Sequence, residues 1–353
     1  MMRVKIEDVC IKGSSNLRQS DVNEKNGTFP VFGAAGYLGS INVFHQSKAY
    51  VAVVKDGAGV GRAMLLPANS SIIGTMQYLL PKDNILPEYL YYVIKAKHLE
   101  RYYSGATIPH IYFKDYKKEE FELFSFEKQN MIINKLKKVE SLIANQKIEL
   151  ELIDELVKAR FVELFGDENN SRCFDMSTVK NVAEVKVGVV IKPSKYYTDC
   201  QNGVKTFRSL NIGDGFIKEN EWVYFTEEGN LANSKSILKE NDVLVVRSGN
   251  PGTSCVVTKK YEGCNAIDVI IARPKLNKVN SLYLSMYTNM PHGKIQIKEG
   301  TGGAAQQHFN VAKYNALKLI LPPLELQNQF ADFVKEVDKS RFIIKSMIKE
   351  GLL

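Results

Sequence analysis

The sequence has few cysteines, and their positions exclude the usual structural uses of cysteine. The five are odd in number and never spaced as CxxC, so neither a disulfide framework nor a zinc site is expected. The chain also lacks an apolar run of membrane-spanning length, and residues 1–8 lack the apolar core of a signal peptide. We therefore expect a cytoplasmic protein without a membrane partner.

A catalytic constellation is also missing. The five histidines are scattered without metal-ligand spacing. Residues 56–62, DGAGVGR, resemble a phosphate-binding loop, but such a loop needs a helix after it. Residues 63–67 predict a strand instead, so we interpret the loop as a hairpin turn.

Proline and glycine are absent from residues 127–165, where apolar residues recur alternately every three and four positions. This is the period of a coiled-coil seam, and it predicts one helix of roughly 58 Å that ends at Gly166. A second seam of the same register, with Arg341 as its charged member, follows Pro322 and Pro323. We expect the two helices to pair with each other through Ile132, Leu136, Val139, Ile143, Leu150, Ile153, Val157, Phe330, Val334, Val337, Ile344 and Ile348.

The chain contains an internal repeat. Residues 105–136 match residues 303–334 at an offset of about 198 positions, and residues 51–57 match residues 243–249. A period near half the chain indicates two similar domains. His110 and His308 are equivalent in the repeat, and we interpret them as structural residues that hydrogen-bond the loop before each long helix. An enzyme with duplicated domains would have only these two as catalytic candidates.

Each globular segment combines strands with short helices. Residues 49–55, 71–80, 242–247 and 266–273 predict strands, and residues 87–102 and 281–290 predict helices. We therefore predict an α+β fold. It comprises a first domain at 1–125, a central helix at 126–165, a second domain at 166–323 and a second helix at 324–353.

The net charge of +8 falls in the two globular segments, because the two helical segments carry equal numbers of basic and acidic residues. Excess positive charge favours a polyanionic partner, and nucleic acid is the commonest. The loops of the two segments differ strongly but are rich in residues that contact bases and phosphates. Our candidates for DNA contact are Lys55, Arg62, Gln77, Arg208, Asn211, Arg247 and Asn250.

The chain resembles the specificity subunits of type I restriction-modification systems over essentially its whole length. The resemblance rests on Asn145-Gln146-Lys147 and residues 156–166 in the central helix, and on residues 303–310 before Leu321-Pro322-Pro323-Leu324. It implies two target recognition domains that each recognise half of a split double-stranded DNA site, and an antiparallel helix pair that fixes their separation.

The resemblance also implies partners: two modification (methyltransferase) subunits and restriction (helicase-nuclease) subunits. S-adenosylmethionine would then belong to the modification subunit and ATP with magnesium to the restriction subunit, whereas this chain would bind no cofactor and catalyse nothing. The second helix is about ten residues shorter than the first, so we expect residues 156–165 to lack an intramolecular counterpart. We also expect the short end, natural or truncated, to alter partner binding. The alternative is a stand-alone two-domain DNA-binding regulator.

Overall fold

The computed structural model of this chain describes residues 2–22, 27–105, 109–300 and 309–351. The chain divides into two compact units, Met1–Ala144 and Asn145–Leu353. The division falls within the long central helix, whose first part belongs to the first unit and whose last part belongs to the second. The predicted boundaries at 125, 165 and 323 stay predictions.

The first unit contains an antiparallel four-stranded sheet and a smaller three-stranded sheet. Its elements are β1 (Met2–Lys5), α1 (Ile6–Val9), β2 (Cys10–Ser14), β3 (Phe29–Gly33), β4 (Gly36–Ile41), β5 (Tyr50–Val54), β6 (Ala63–Leu66), β7 (Ser71–Ile72), β8 (Met76–Pro81), α2 (Pro87–Ala96), α3 (Phe113–Tyr116), β9 (Glu120–Leu123) and the start of α4 (Phe126–Phe165). The strand orders are β2-β8-β5-β6 and β4-β3-β7, and β1 pairs with β9. Every residue of β5 is buried, as its β-branched composition predicts.

The second unit begins within α4. Its further elements are β10 (Met176–Thr178), α5 (Val179–Val182), β11 (Ala183–Val187), β12 (Tyr197–Thr198), β13 (Val204–Phe207), β14 (Val223–Phe225), α6 (Glu227–Ala232), β15 (Val243–Val246), β16 (Ser254–Val256), β17 (Asn265–Ala266), β18 (Val269–Pro274), α7 (Ser281–Asn289), α8 (Pro291–Gly300), α9 (Val311–Ala316), β19 (Lys318–Ile320) and α10 (Leu324–Gly351). The larger sheets are β11-β18-β15-β16 and β12-β14-β13-β17, and β10 pairs with β19.

The two units repeat one topology, which confirms the predicted duplication and the α+β class. The order β11-β18-β15-β16 has the same connectivity as β2-β8-β5-β6, and the parallel pair β13–β17 corresponds to β3–β7. The hairpin interpretation of residues 56–62 is also confirmed, because β6 pairs antiparallel with β5. The strand predicted over 71–80 is instead two strands, β7 and β8, that belong to different sheets.

A buried glutamine fixes the start of each long helix in the same way. Gln129 accepts a hydrogen bond from the Leu86 N–H at 2.8 Å and donates to the Phe124 carbonyl at 2.9 Å. Gln327 accepts from the Asn280 N–H at 2.8 Å and donates to the Pro322 carbonyl at 2.8 Å. Both glutamines are fully buried. Since buried amides are generally hydrogen-bonded, these contacts anchor the start of each helix within its own unit.

A pair of equivalent tyrosines also stabilises the common frame. The Tyr89 hydroxyl donates to the Glu122 carbonyl at 2.8 Å, and the Tyr283 hydroxyl donates to the Ile320 carbonyl at 2.7 Å. In the first unit the bond joins the short helix α2 to β9, and in the second unit it joins the short helix α7 to β19. The repeated residues of the sequence are therefore largely residues of the frame.

Within the second unit, α10 pairs with the last part of α4 in antiparallel fashion. The Phe330 ring makes edge-to-face contacts with Phe161 and Phe165, with centroids 5.4 and 5.5 Å apart. Farther along α10, Arg341 lies 2.5 Å from Asp154. Residue numbers thus fall along α4 as they rise along α10, the order expected of an antiparallel pair. Arg341, the charged member of the predicted seam, is used in this ion pair.

The expectation that residues 156–165 lack a counterpart is wrong. Phe161 and Phe165 are fully buried in the core of the second unit. An antiparallel helix that begins at Leu324 meets the C-terminal end of α4 first. Leu136 and Val139, in the first unit, are more than a third exposed.

The end of α4 is fixed by two residues. Gly166 has a φ of +82°, which favours glycine, and its N–H donates to the Val162 carbonyl at 2.8 Å. The ring of the buried His292 donates through Nε2 to the Gly166 carbonyl at 3.1 Å. The predicted stop at Gly166 is therefore confirmed. In the described ranges, no helix is long and apolar enough to cross a membrane.

Candidate functional site

The loop after β5 is the centre of the candidate site in the first unit. The Lys55 carbonyl accepts a hydrogen bond from the Ile111 N–H at 2.9 Å, so the segment that leads into α3 is tied to the end of β5. The His110 ring lies 2.7 Å from the Asp56 carboxylate. His110 thus has a structural contact, as predicted, although its partner is the loop after β5. His308 lies outside the described residues.

The equivalent loop of the second unit has the same backbone tie. The Arg247 carbonyl accepts from the Phe309 N–H at 3.1 Å, as the Lys55 carbonyl accepts from the residue after His110. The two cationic side chains differ in their surroundings, however. Lys55 is partly exposed and lies 3.6 Å from Asp56, whereas Arg247 is 16% exposed and lies 2.5 Å from Asp268. Lys55 is therefore free to reach a ligand, and Arg247 is held within the protein.

Two predicted DNA-contact residues are structural, and their prediction is wrong. Gln77 lies within β8, is 2% exposed and donates to the Tyr116 hydroxyl. Asn211 is fully buried, where it accepts from the Arg208 N–H at 2.9 Å and donates to the Asn220 carbonyl at 2.7 Å. Both amides are committed to contacts that hold local structure, so neither presents its donor and acceptor to a base edge.

The remaining candidates lie at or near the surface. Arg62 is exposed on the β5–β6 hairpin and donates to the Ala34 carbonyl at 3.1 Å. Arg208 is half-buried and donates to the Glu221 carbonyl, and its Nε is buried without a hydrogen-bond partner in the described structure. Asn250 is exposed in the β15–β16 hairpin. The structure brings Lys55 and Gln77 to one cavity.

The sequence interpretation missed a basic cavity of about 510 Å³ in the first unit. It lies between β2 and α3 and is lined by Lys12, Ser14, Lys55, Asp56, Gln77, Ile111, Tyr112, Phe113, Lys114 and Lys117. The sequence feature that could have indicated this cavity is the spacing of Lys114 and Lys117, which places two cations on one side of a helical turn.

The second unit has a surface network around one carboxylate. Glu219 bonds Lys260 and Tyr261 and lies 3.3 Å from Lys205, and Lys205 also lies over the Trp222 ring at 4.9 Å. These bonds lower the pKa of Glu219 to about 2, and the bond from Lys260 has the largest effect. The network therefore carries fixed charges at neutral pH. In the part of the chain that the structure describes, no three His, Cys, Asp or Glu side chains are placed to hold a metal ion.

Comparison with known proteins gives the family. The model of the type I restriction modification DNA specificity domain matches residues 1–153 and again residues 173–353. Two curated relatives are from Methanocaldococcus jannaschii. The type I restriction enzyme MjaIX specificity subunit is 31% identical over 307 residues, which cover 78% of this chain and 69% of the relative. The MjaVIII specificity subunit is 22% identical over 304 residues, which cover 80% and 71%.

Solved structures agree on the fold. The crystal structure of a type I restriction-modification S subunit from M. genitalium aligns with a TM-score of 0.54 at 16% identity and covers 99% of this chain and 95% of that one. A chain from a study of the assembly and conformational transition of a type I R-M system aligns with a TM-score of 0.51 at 14% identity, and covers 99% and 92%. On the two matches of the family model and these relatives, the chain belongs to the family of type I restriction-modification specificity subunits.

Proposed function

We propose that each unit of this specificity subunit recognises one half of a split double-stranded DNA site. The observation that carries the proposal is the repeat itself. The two units share sheet order, buried glutamines and buried tyrosines, yet differ in the loops that bear the exposed polar residues. A common frame with unlike loops suits two unlike half-sites, because base recognition depends on individual side chains.

The two long helices would then set the distance between half-sites. The antiparallel contacts of α10 with the last part of α4 support this role, since packed helices resist changes in length. Inserting one heptad at Gln146 would lengthen α4 by about 10 Å, or roughly three base-pair steps. We expect the permitted spacer to change accordingly, as measured by methylome sequencing. An unchanged spacer would refute the role of the helices.

The chain itself would be non-catalytic. It would direct two modification subunits, which supply S-adenosylmethionine, and restriction subunits, which use ATP and magnesium. What supports this is the family membership.

The proposal is tested with the reconstituted complex. Methylome sequencing of cells that carry this chain and its modification subunits gives the target. Arg62→Ala should then alter methylation of the first half-site and Asn250→Ala that of the second. Arg172→Ala, an exposed arginine whose guanidinium donates to the Glu163 carbonyl, is a control that should leave both half-sites unchanged.

The alternative, a stand-alone regulator, differs in one measurable respect. A regulator would bind its site tightly without other subunits, whereas a specificity subunit should need modification subunits to act on DNA. Binding of a target duplex by the chain alone, at an affinity equal to that of the complex, would favour the regulator.

A further inference from the structure

The cavity between β2 and α3 distinguishes the first unit from the second. Its walls carry four lysines and one aspartate. Lys12 projects from β2, and Lys114 and Lys117 come from α3 and the residue after it. Like charges placed around one cavity repel each other, and a bound anion would relieve that repulsion.

The equivalent place in the second unit is apolar. Strand register identifies the counterparts: Ser14 and Gln77 are paired on β2 and β8, as Val187 and Ile270 are on β11 and β18. By the same register, Lys12 corresponds to Val185.

Val185 and Ile270 pack into the main core of the second unit, and α9 lies directly on β11. In the first unit, the cavity lies between β2 and the counterpart helix α3. Three positions that are apolar in one unit are therefore polar in the other. Gln77 is used internally by Tyr116, but Lys12 and Ser14 are exposed on β2. Polar residues at these two positions give up apolar burial that would stabilise the fold, so a binding role accounts for them better than packing does.

The lysines differ in how far they are already neutralised. Lys117 is paired with Glu7 at 2.6 Å, and Lys55 lies 3.6 Å from Asp56. Within the described residues, Lys12 and Lys114 have no ion pair, and Lys114 lies over the ring of Tyr112 at 5.4 Å. Two ammonium groups without an ion pair therefore line one space, one from β2 and the other from α3. A lysine ammonium binds phosphate as a mobile point charge and needs no fixed geometry.

We propose that this cavity holds a phosphate group of the DNA backbone, and that Lys12 and Lys114 are its ligands. This inference rests on the proposed function and adds an asymmetry to it, because only the first unit would bind the DNA backbone in this way. Because a phosphate contact carries no base information, the cavity would set affinity and position at the first half-site but not its sequence.

The test uses the chain with its modification subunits and a duplex of the methylated target. In Lys12→Gln/Lys114→Gln, the slope of log K against log salt should become shallower by about one to two, at roughly one per lysine. Affinity should fall equally for duplexes with different bases in the first half-site. The matched control is Lys48→Gln/Lys118→Gln, which removes the same charge from exposed lysines of the same unit outside the cavity. Lys12→Arg/Lys114→Arg should keep the slope.

Three outcomes are informative. If the Gln variant matches the control in slope and affinity while the wild-type complex binds its target, the cavity proposal is overturned. If the wild-type complex shows no preference for any sequence, the proposed function fails instead. If AMP or inorganic phosphate binds the complex without DNA, and binding requires Lys12 and Lys114, the phosphate comes from a free ligand and the backbone assignment is overturned.

Discussion

Replacing Phe330 with alanine should destabilise the packing of α10 against the last part of α4. Phe330 is fully buried, and its ring meets the edges or faces of Phe161 and Phe165 at centroid distances of 5.4 and 5.5 Å. Truncation of a buried phenylalanine costs about 3–5 kcal/mol, of which each aromatic pair accounts for about 0.5–1.5 kcal/mol. For a unit of this size, each kcal/mol lowers Tm by about 2–4 °C, so we expect a fall of about 6–20 °C.

The same helix offers the control. Phe342 is 74% exposed, so Phe342→Ala removes the same side chain from the same helix without opening a core, and it should change the stability by less than about 0.5 kcal/mol. Circular dichroism of the full chain during heating measures both variants. Hydrogen exchange locates the effect, because amides of residues 145–165 and 324–351 should lose protection only in Phe330→Ala. Equal melting temperatures for the two variants would refute the pairing of α10 with α4.

Three further predictions concern buried and charged groups. A thiol reagent at pH 8 should modify two cysteines in the folded chain, the exposed Cys173 and Cys200, and all five after unfolding. The remaining three are protected because burial raises the pKa of their thiols; these are Cys10, Cys255 and Cys264. Glu219 has a folded pKa of about 2 against an ordinary 4.5, so its contribution to stability is present above pH 4.5 and is lost as the pH falls toward 2. Glu219→Gln should flatten the acid limb of the stability profile measured by urea unfolding, and a wild-type slope in the variant would contradict the assignment. Gln129→Leu and Gln327→Leu should each lower the free energy of unfolding by about 1–3 kcal/mol, since they leave the part-buried N–H groups of Leu86 and Asn280 without their side-chain acceptor. Urea titration of the two variants should show losses of similar size, and a neutral variant would show that its bond is dispensable.

Local pattern was sufficient to predict the helices and the central strands. The seam between residues 127 and 165 and the stop at Gly166 depend only on neighbours along the chain, and α4 has the predicted extent. Likewise, the run of β-branched residues before Lys55 gave the buried strand β5. The spacing of the seam residues does not predict which part of α4 lies against α10, because the part in contact depends on whether the helices pair parallel or antiparallel.

The candidate site was less predictable because exposure is set by tertiary contacts. Gln77 and Asn211 are residue types that bind bases, but Tyr116 and the loop at Asn220 use their amide groups internally. The basic cavity requires β2 and α3, which lie about a hundred residues apart in sequence. Lys12 alone carried no signal, since a single lysine on a short strand is ordinarily a solvated side chain.

Equivalence in the repeat does not by itself give equivalent roles. Lys55 and Arg247 follow equivalent strands and bear the same charge, which made them the best matched pair of candidates. Arg247 is nevertheless held by Asp268 and also donates to the Phe309 carbonyl at 3.3 Å, so moving it to a phosphate would break an ion pair and a hydrogen bond. Lys55 has only the 3.6 Å contact with Asp56 to give up, and it already lines the cavity. The two units therefore share a frame whose equivalent cations act differently. Asn250, which is exposed in the β15–β16 hairpin, has no such internal ion pair to break and stays the prediction for the second unit.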